Sequence, residues 1–316
     1  MNFIESENQM RTAYITHPDC LKHDMGRYHP ECPQRLVVIE NQLQATGLLS
    51  KLERYEAPLA TIEQLARVHT HSYIQSIHQA APKSGLAALD ADTAMNPFTL
   101  HAALRAAGAA VMATDLVLSA KVDNAFCAVR PPGHHAESNR AMGFCLFNNV
   151  AVGVAHAIRN YQLQRVVILD FDVHHGNGSE EIFRNNSNVM LCSTFQHPFY
   201  PYSGADSSNE HIINVPLQRD SDSSVFRQVV TDIWLPAIER FKPEMIFVSA
   251  GFDAHRDDAM SQLYFSDDDY TWITAQIRAL ASKYAKDRIV SVLEGGYELS
   301  MLGRCVAEHI RVLNTD

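Results

Sequence analysis

The chain has no CxxC pair, and its six cysteines, Cys20, Cys32, Cys127, Cys145, Cys192 and Cys305, are widely scattered. That excludes a zinc ribbon and a disulfide framework and suits reduced thiols. Positive charge is also in deficit: 26 Lys and Arg face 36 Asp and Glu, for a net charge of −10. Without concentrated cations to neutralise phosphates, direct nucleic-acid binding is not expected. No apolar run reaches the roughly 18 residues that a membrane helix needs. The segment Met1-Asn2-Phe3-Ile4-Glu5-Ser6-Glu7 lacks the basic flank and apolar centre of a leader, so the expected location is cytoplasmic. No Pro/Gly/Ser-rich linker, low-complexity tract or fixed-period repeat divides the chain. With 46% hydrophobic and 20% charged residues, it reads as a loose tail over residues 1–10 and a single domain over 11–316.

What the chain does have is a series of short, β-branched apolar runs at 125–129, 166–171, 189–194, 245–250 and 289–293. Continuous rather than alternating hydrophobicity marks strands buried on both faces, as in parallel sheets. Helix-like stretches lie between them at 98–120, 149–161, 225–241 and 267–285, the last opening with Asp267, Asp268 and Asp269, where acids suit the helix dipole. Strands alternating with helices imply an α/β fold, a mostly parallel sheet with helices on both faces.

The polar residues are ordered with respect to those runs. Each run ends in chemically capable residues: Arg130-Pro131-Pro132-Gly133-His134-His135, Asp170-Phe171-Asp172-Val173-His174-His175-Gly176-Asn177-Gly178, Ser193-Thr194, Ser249-Ala250-Gly251-Phe252-Asp253 and Glu294-Gly295-Gly296-Tyr297. Open α/β sheets bind ligands at the carboxyl ends of their strands, so five strand ends point to one site. Residues two apart in a strand face the same way, which lets Asp172 and His174 share one ion with Asp170 a step behind and His175 turned away. Carboxylate and imidazole donors suit zinc, and a third protein ligand with one open position makes such a site catalytic.

Asp253 is the natural third ligand, although an aspartate at a strand end taken alone is more often a helix cap. His134 and His135 follow two prolines and a glycine, where imidazoles can act as general base and acid. Taken singly, they are as readily loop histidines bonded to backbone carbonyls. Tyr297 after two glycines is aimed by a tight turn and can donate to a developing oxyanion. Gly143-Phe144 and Phe199-Tyr200-Pro201 place aromatics on loops, where they either line a channel or staple the loop to the body.

Together these motifs resemble the histone deacetylase superfamily, which includes acetoin-utilisation and acetylpolyamine amidohydrolase proteins. The resemblance runs from His29-Pro30-Glu31-Cys32-Pro33-Gln34-Arg35-Leu36 to Glu294-Gly295-Gly296-Tyr297. Arg130 to Glu137 and His174 to Gly178 look like the class II branch, since class I has an aspartate where Asn177 stands. The resemblance implies an arginase/deacetylase fold, one catalytic zinc on Asp172, His174 and Asp253, and hydrolysis of an N-acetyl amide. It gives His135 the water's proton, His134 an electrostatic role beside Asp170, and Tyr297 the oxyanion. It further implies a structural potassium ion on Asp170 and Ser193, with the backbone carbonyls of Asp172, His174 and Thr194.

By the same resemblance Phe144 and Tyr200, or Phe199 in its place, flank an acetyl-alkyl channel with Gly143, and Asp92 grips the substrate backbone. The polyamine-selective branch has a glutamate seven residues after the third zinc ligand. Here that position is Met260, which favours acetyl-lysine in proteins or peptides over a small acetylated amine, unless Asp257 and Asp258 supply the missing charge. The rivals are an N-acetylpolyamine deacetylase, a binuclear ureohydrolase-like enzyme with His255 and Asp257 as added ligands, and a non-catalytic acetyl-lysine binding module.

Overall fold

A computed structural model of the protein describes residues 10–315; apart from Met10, the expected tail lies outside them. The sheet has eight strands: β1 (Thr12–Thr16), β2 (Glu53–Glu56), β3 (Asn124–Cys127), β4 (Val166–Asp170), β5 (Val189–Gln196), β6 (Ile212–Leu217), β7 (Met245–Ala250) and β8 (Ile289–Leu293). Their spatial order is β2-β1-β3-β8-β7-β4-β5-β6, and every pairing is parallel. All carboxyl ends therefore emerge along one edge of the molecule.

The five apolar runs form the contiguous middle of this sheet, β3-β8-β7-β4-β5. Their residues are buried throughout, because helices cover both faces of a parallel sheet. The strands that carry no continuous apolar signal lie outside them. Edge strand β2 reads Glu-Arg-Tyr-Glu and is largely exposed, a charged margin that discourages pairing with another chain.

The covering helices are α1 (Gln34–Ala45), α2 (Thr99–Leu118), α3 (Asn149–Tyr161), α4 (Asn177–Phe183), α5 (Asp267–Leu280) and α6 (Leu299–Leu313). Helix α2 packs on α3 and on β1, β3 and β8, while α6 packs between α1 and α5. By length and composition α2 could cross a membrane, but 72% of its most apolar window is buried inside the protein; it is a core helix. The helix expected over 225–241 forms as Ser223–Val229, a wider turn Val230–Trp234, and Leu235–Phe241. Pro236, which has no N–H to donate and crowds the preceding turn, accounts for the widening. At the start of α5, Asp269 Oδ2 accepts the Ser266 N–H at 2.8 Å, satisfying a donor that the helix leaves free.

Candidate active site

The strand ends bring Asp172, His174 and Asp253 together, with one ligand atom from each lying within 4.8 Å of the others and all three residues buried. Asp172 and His174 leave β4 two residues apart, and Asp253 follows β7, its neighbour in the sheet. His174 Nδ1 lies 3.0 Å from Asp172 Oδ1 and 3.2 Å from Asp253 Oδ2. Backbone donors hold the remaining oxygens: Gly295 N–H donates to Asp172 Oδ2 at 2.8 Å and Val173 N–H to Asp253 Oδ1 at 2.9 Å.

Asp253 Oδ2 is buried and, apart from the 3.2 Å contact with His174 Nδ1, has no hydrogen-bond partner, a costly state for a carboxylate oxygen unless a cation binds it. Gly295 keeps the space beside it open, since a Cβ there would sit 2.0 Å from Asp253 Oδ2 and 2.6 Å from Asp172 Oδ2. Two carboxylates and an imidazole with an unsatisfied oxygen are a donor set that fits a divalent cation. Burial raises the Asp253 pKa, as does Asp172, to about 6. Burial also works against the Asp172 carboxylate, but His134 and His174 outweigh it and hold its pKa below the ordinary range.

The two loop histidines are held differently. His134 Nδ1 lies 3.0 Å from Asp170 Oδ2. Burial opposes its protonation, yet Asp172 and Asp170 more than offset this and raise its pKa to about 10. His135 Nδ1 instead faces Asn177 Oδ1 at 2.8 Å. The Asn177 amide is oriented by its nitrogen, which donates to Glu137 Oε1 at 2.9 Å and to the His135 carbonyl at 3.3 Å. Its oxygen must therefore accept, so His135 carries its proton on Nδ1 and presents a free lone pair on Nε2. Burial, with His134 and His174 nearby, holds the His135 pKa well below 6.5.

Tyr297 lies between a cation and an aromatic edge: the Arg35 guanidinium is 4.9 Å from its ring centre and Phe144 meets it edge-on at 5.8 Å. Gly296 precedes it at φ +117°, a conformation that L side chains rarely adopt and glycine accommodates. Phe199 stacks on His174 at 5.6 Å, and Tyr200 meets His135 edge-on at 5.2 Å. Gly143 lies against His135, where a Cβ would be 2.4 Å from the ring. Half-buried Asp92 joins this wall, its carbonyl 3.3 Å from His29 Nε2 and its neighbour Thr93 accepting the Phe144 N–H at 3.0 Å. Phe199 and Tyr200 thus both reach the metal-ligand candidates.

Behind the site, Asp170 is in register with Ser193 on β5 and with Ser249 on β7. The hydroxyls of Ser193, Thr194 and Ser249 are buried without partners, an oxygen-rich and unsatisfied surrounding of the kind a cation relieves. Ser249 carried no separate signal in the sequence.

Other expected residues lie elsewhere. His255 Nε2 is 3.2 Å from Asp267 Oδ1, which also accepts from Cys305 Sγ at 3.0 Å. His255 and Asp257 are outside the Asp172–His174–Asp253 group, so the second-metal arrangement does not form there. Asp258 is also not a free charge for a cationic substrate: it is buried, with Oδ2 accepting the N–H groups of Tyr297 and Glu298 and Oδ1 that of Met260. Met260 is half-buried and Asp257 is exposed.

Sequence reasoning passed over the residues that hold the catalytic loops. Glu294 Oε2 accepts the Gly133 and His134 N–H groups at 2.7 and 3.1 Å. Burial pushes its pKa up to about 7. Arg130 pairs with buried Glu31, which also meets Arg35, and Arg35 donates to the carbonyls of Gly296 and Glu294. A glutamate opening the Glu-Gly-Gly-Tyr motif and an arginine before two prolines were visible in the chain, but their partners were not.

A model of the Histone deacetylase domain matches residues 29–313. The chain is 34% identical to the histone deacetylase-like amidohydrolase of Pseudomonas aeruginosa, over 93% of this chain and 84% of that protein. It is 35% identical to the polyamine deacetylase HDAC10 of Mus musculus, over 97% of this chain but only 49% of the mouse protein. Among solved structures, the crystal structure of the HDA15 HD domain matches at 31% identity with a TM-score of 0.90, covering 97% of this chain and 89% of that one.

Proposed function

The chain belongs to the histone deacetylase family and is a deacetylase, and we propose that it removes acetyl groups from N-acetyl-lysine side chains of proteins or peptides with the help of one zinc ion. The observation that carries this reading is the buried group Asp172, His174 and Asp253, next to a histidine whose Nε2 lone pair is free. The aspartates and the imidazole would hold the zinc. A zinc ion bound there would polarise the acetyl carbonyl and lower the pKa of an attacking water.

His135 then takes the water's proton on Nε2, and the Asn177 oxygen on Nδ1 stabilises the imidazolium that forms. The same proton is returned to the leaving amine, so that acid and base roles fall on one group. His134, fixed by Asp170, tunes the site electrostatically. Tyr297 donates its hydroxyl proton in a hydrogen bond to the oxyanion. Phe144, Phe199 and Tyr200 form apolar walls for the acyl-lysine arm, which exclude water and orient it. Asp92 is the carboxylate placed for the substrate backbone. The hydroxyl-lined region of Asp170 and Ser193, with the carbonyls of Asp172, His174 and Thr194, suits a structural potassium ion.

Substrate choice turns on Met260 and Asp258. With an apolar residue at the first and the charge of the second taken up by three backbone donors, neither offers a countercharge to a polyamine. Resemblance to the mouse polyamine deacetylase, and exposed Asp257, favour the second reading, an N-acetylpolyamine deacetylase. The test is kcat/KM of the zinc-loaded protein on an acetyl-lysine peptide and on N-acetylspermidine in one buffer. A peptide preference of tenfold or more, about 1.4 kcal/mol, is the expected result; preference for the amine would transfer the function to polyamines.

A further inference from the structure

We propose that Asp258 is the positioning residue for Tyr297: its carboxylate anchors the backbone that aims the phenol at the reacting carbonyl. The inference rests on the proposed role of Tyr297 as oxyanion donor. Asp258 is 4% exposed. Its Oδ2 accepts the Tyr297 N–H at 2.6 Å and the Glu298 N–H at 3.1 Å, and its Oδ1 accepts the Met260 N–H at 2.9 Å. Its own N–H donates to the His255 carbonyl at 2.9 Å. The residue is thus fixed at one end to the loop that carries Asp253 and at the other to the loop that carries Tyr297.

That link matters because Arg35, Asp172 and Phe252 tie down Gly295 and Gly296, while the N–H groups of Tyr297 and Glu298 themselves are held by Asp258. Gly295 and Gly296 precede Tyr297, the second at a positive φ, and two glycines in series are a poor way to hold a side chain in place. Charge-assisted hydrogen bonds to successive amides are stronger than neutral ones and are directional. Arg35 and Phe144 hold the ring, and Arg35 Nε also donates to the Gly296 carbonyl at 2.6 Å, but the Tyr297 and Glu298 N–H groups are held by Asp258. A transition-state donor misplaced by about an ångström loses much of its effect. The plainer reading is that Asp258 merely caps the start of α6, where Glu298 is the cap residue; that role has no reason to act through the phenol.

A double-mutant cycle separates the two. Asp258→Asn should lower kcat about 10- to 100-fold with KM and zinc content near wild type, and adding it to Tyr297→Phe should cost no more than about twofold further. Hydrogen exchange supplies a readout independent of turnover: amides 297 and 298 should exchange at least about tenfold faster in Asp258→Asn, with the amide of Val173, bonded to Asp253, unchanged. Multiplicative losses in the cycle, or unchanged exchange at 297–298, would overturn the proposal. If the Asn variant fails to fold in a thermal melt, Asp258→Glu, which keeps the charge one methylene out of place, carries the same measurements. Should the wild type cleave neither acetyl-lysine nor acetylpolyamine, the functional reading fails, while exchange still decides whether Asp258 anchors the turn.

Discussion

Two groups of three ligand-type side chains can be drawn among the described residues, and they are not alike. Asp172, His174 and Asp253 on one hand, and His255, Asp267 and Cys305 on the other, each bring their donor atoms within 4.8 Å of one another. In the first, all three residues are buried at the ends of adjacent strands, and Asp253 Oδ2 has no hydrogen bond beyond its 3.2 Å contact with His174 Nδ1. In the second, every group already has a partner. Asp267 accepts from Cys305 Sγ and from Arg304, and the Asp257 N–H donates to His255 Nδ1 at 3.1 Å, which places the ring proton on Nε2, toward Asp267. A metal there would have to displace a proton, a thiol hydrogen and an arginine. Proximity of ligand types is therefore a weak criterion, and an unsatisfied buried oxygen a stronger one.

The sharpest way to break this contrast is to delete one aspartate from each group. Asp253→Ala should lose the zinc and lower turnover by about three orders of magnitude or more, since in the proposed mechanism the attacking water and the acetyl carbonyl would both depend on the ion. Asp267→Ala should keep one zinc per chain and activity within about threefold of wild type. Elemental analysis of the dialysed proteins alongside kcat/KM decides it. Equal metal loss in both would erase the distinction.

Tyr297→Phe is the next largest effect. It should lower kcat by about 10²- to 10³-fold, the usual cost of one oxyanion donor, while zinc content and the melting temperature stay put. Near-normal turnover would remove Tyr297 from the mechanism and leave the first group as a metal site without its donor.

How much of this was legible beforehand follows from where each residue stands. The central strands β3, β4, β5, β7 and β8 announce themselves because residues buried on both faces must be apolar. Edge strands β2 and β6 do not, being partly exposed, and neither does β1, which is buried but brackets its apolar Ala13-Tyr14-Ile15 with threonines. The motifs at the strand ends were likewise readable, since a parallel sheet turns strand order into spatial convergence. What could not be read was pairing across the chain. Asp258 looked like free charge near Met260 until its three backbone donors were seen, and His255 at two-residue spacing from Asp253 looked like a second ligand until its ring was found turned toward α5 and α6. Spacing predicts direction inside a strand; beyond the strand end, the loop decides.

The smallest effect tests the satisfied group by pH. Burial works against the Asp267 carboxylate, but hydrogen bonds from Cys305 and Arg304 outweigh it, and the folded pKa lies below the ordinary 3.8. The unfolded chain therefore binds a proton before the folded one does as the pH falls through 3.8. Asp267 contributes its stability above that point and loses it as the pH drops toward the lower folded value. With the side chain 40% exposed and screened by solvent, the contribution is at most a few tenths of a kcal/mol. The difference in urea midpoint between wild type and Asp267→Asn should accordingly be small at about pH 6 and shrink further by about pH 3.5. His255, Arg304 and Cys305 are the groups that face Asp267. A difference that grows on acidification would mean that the carboxylate is strained in the fold, and the second group would then share the unsatisfied character that sets the first apart.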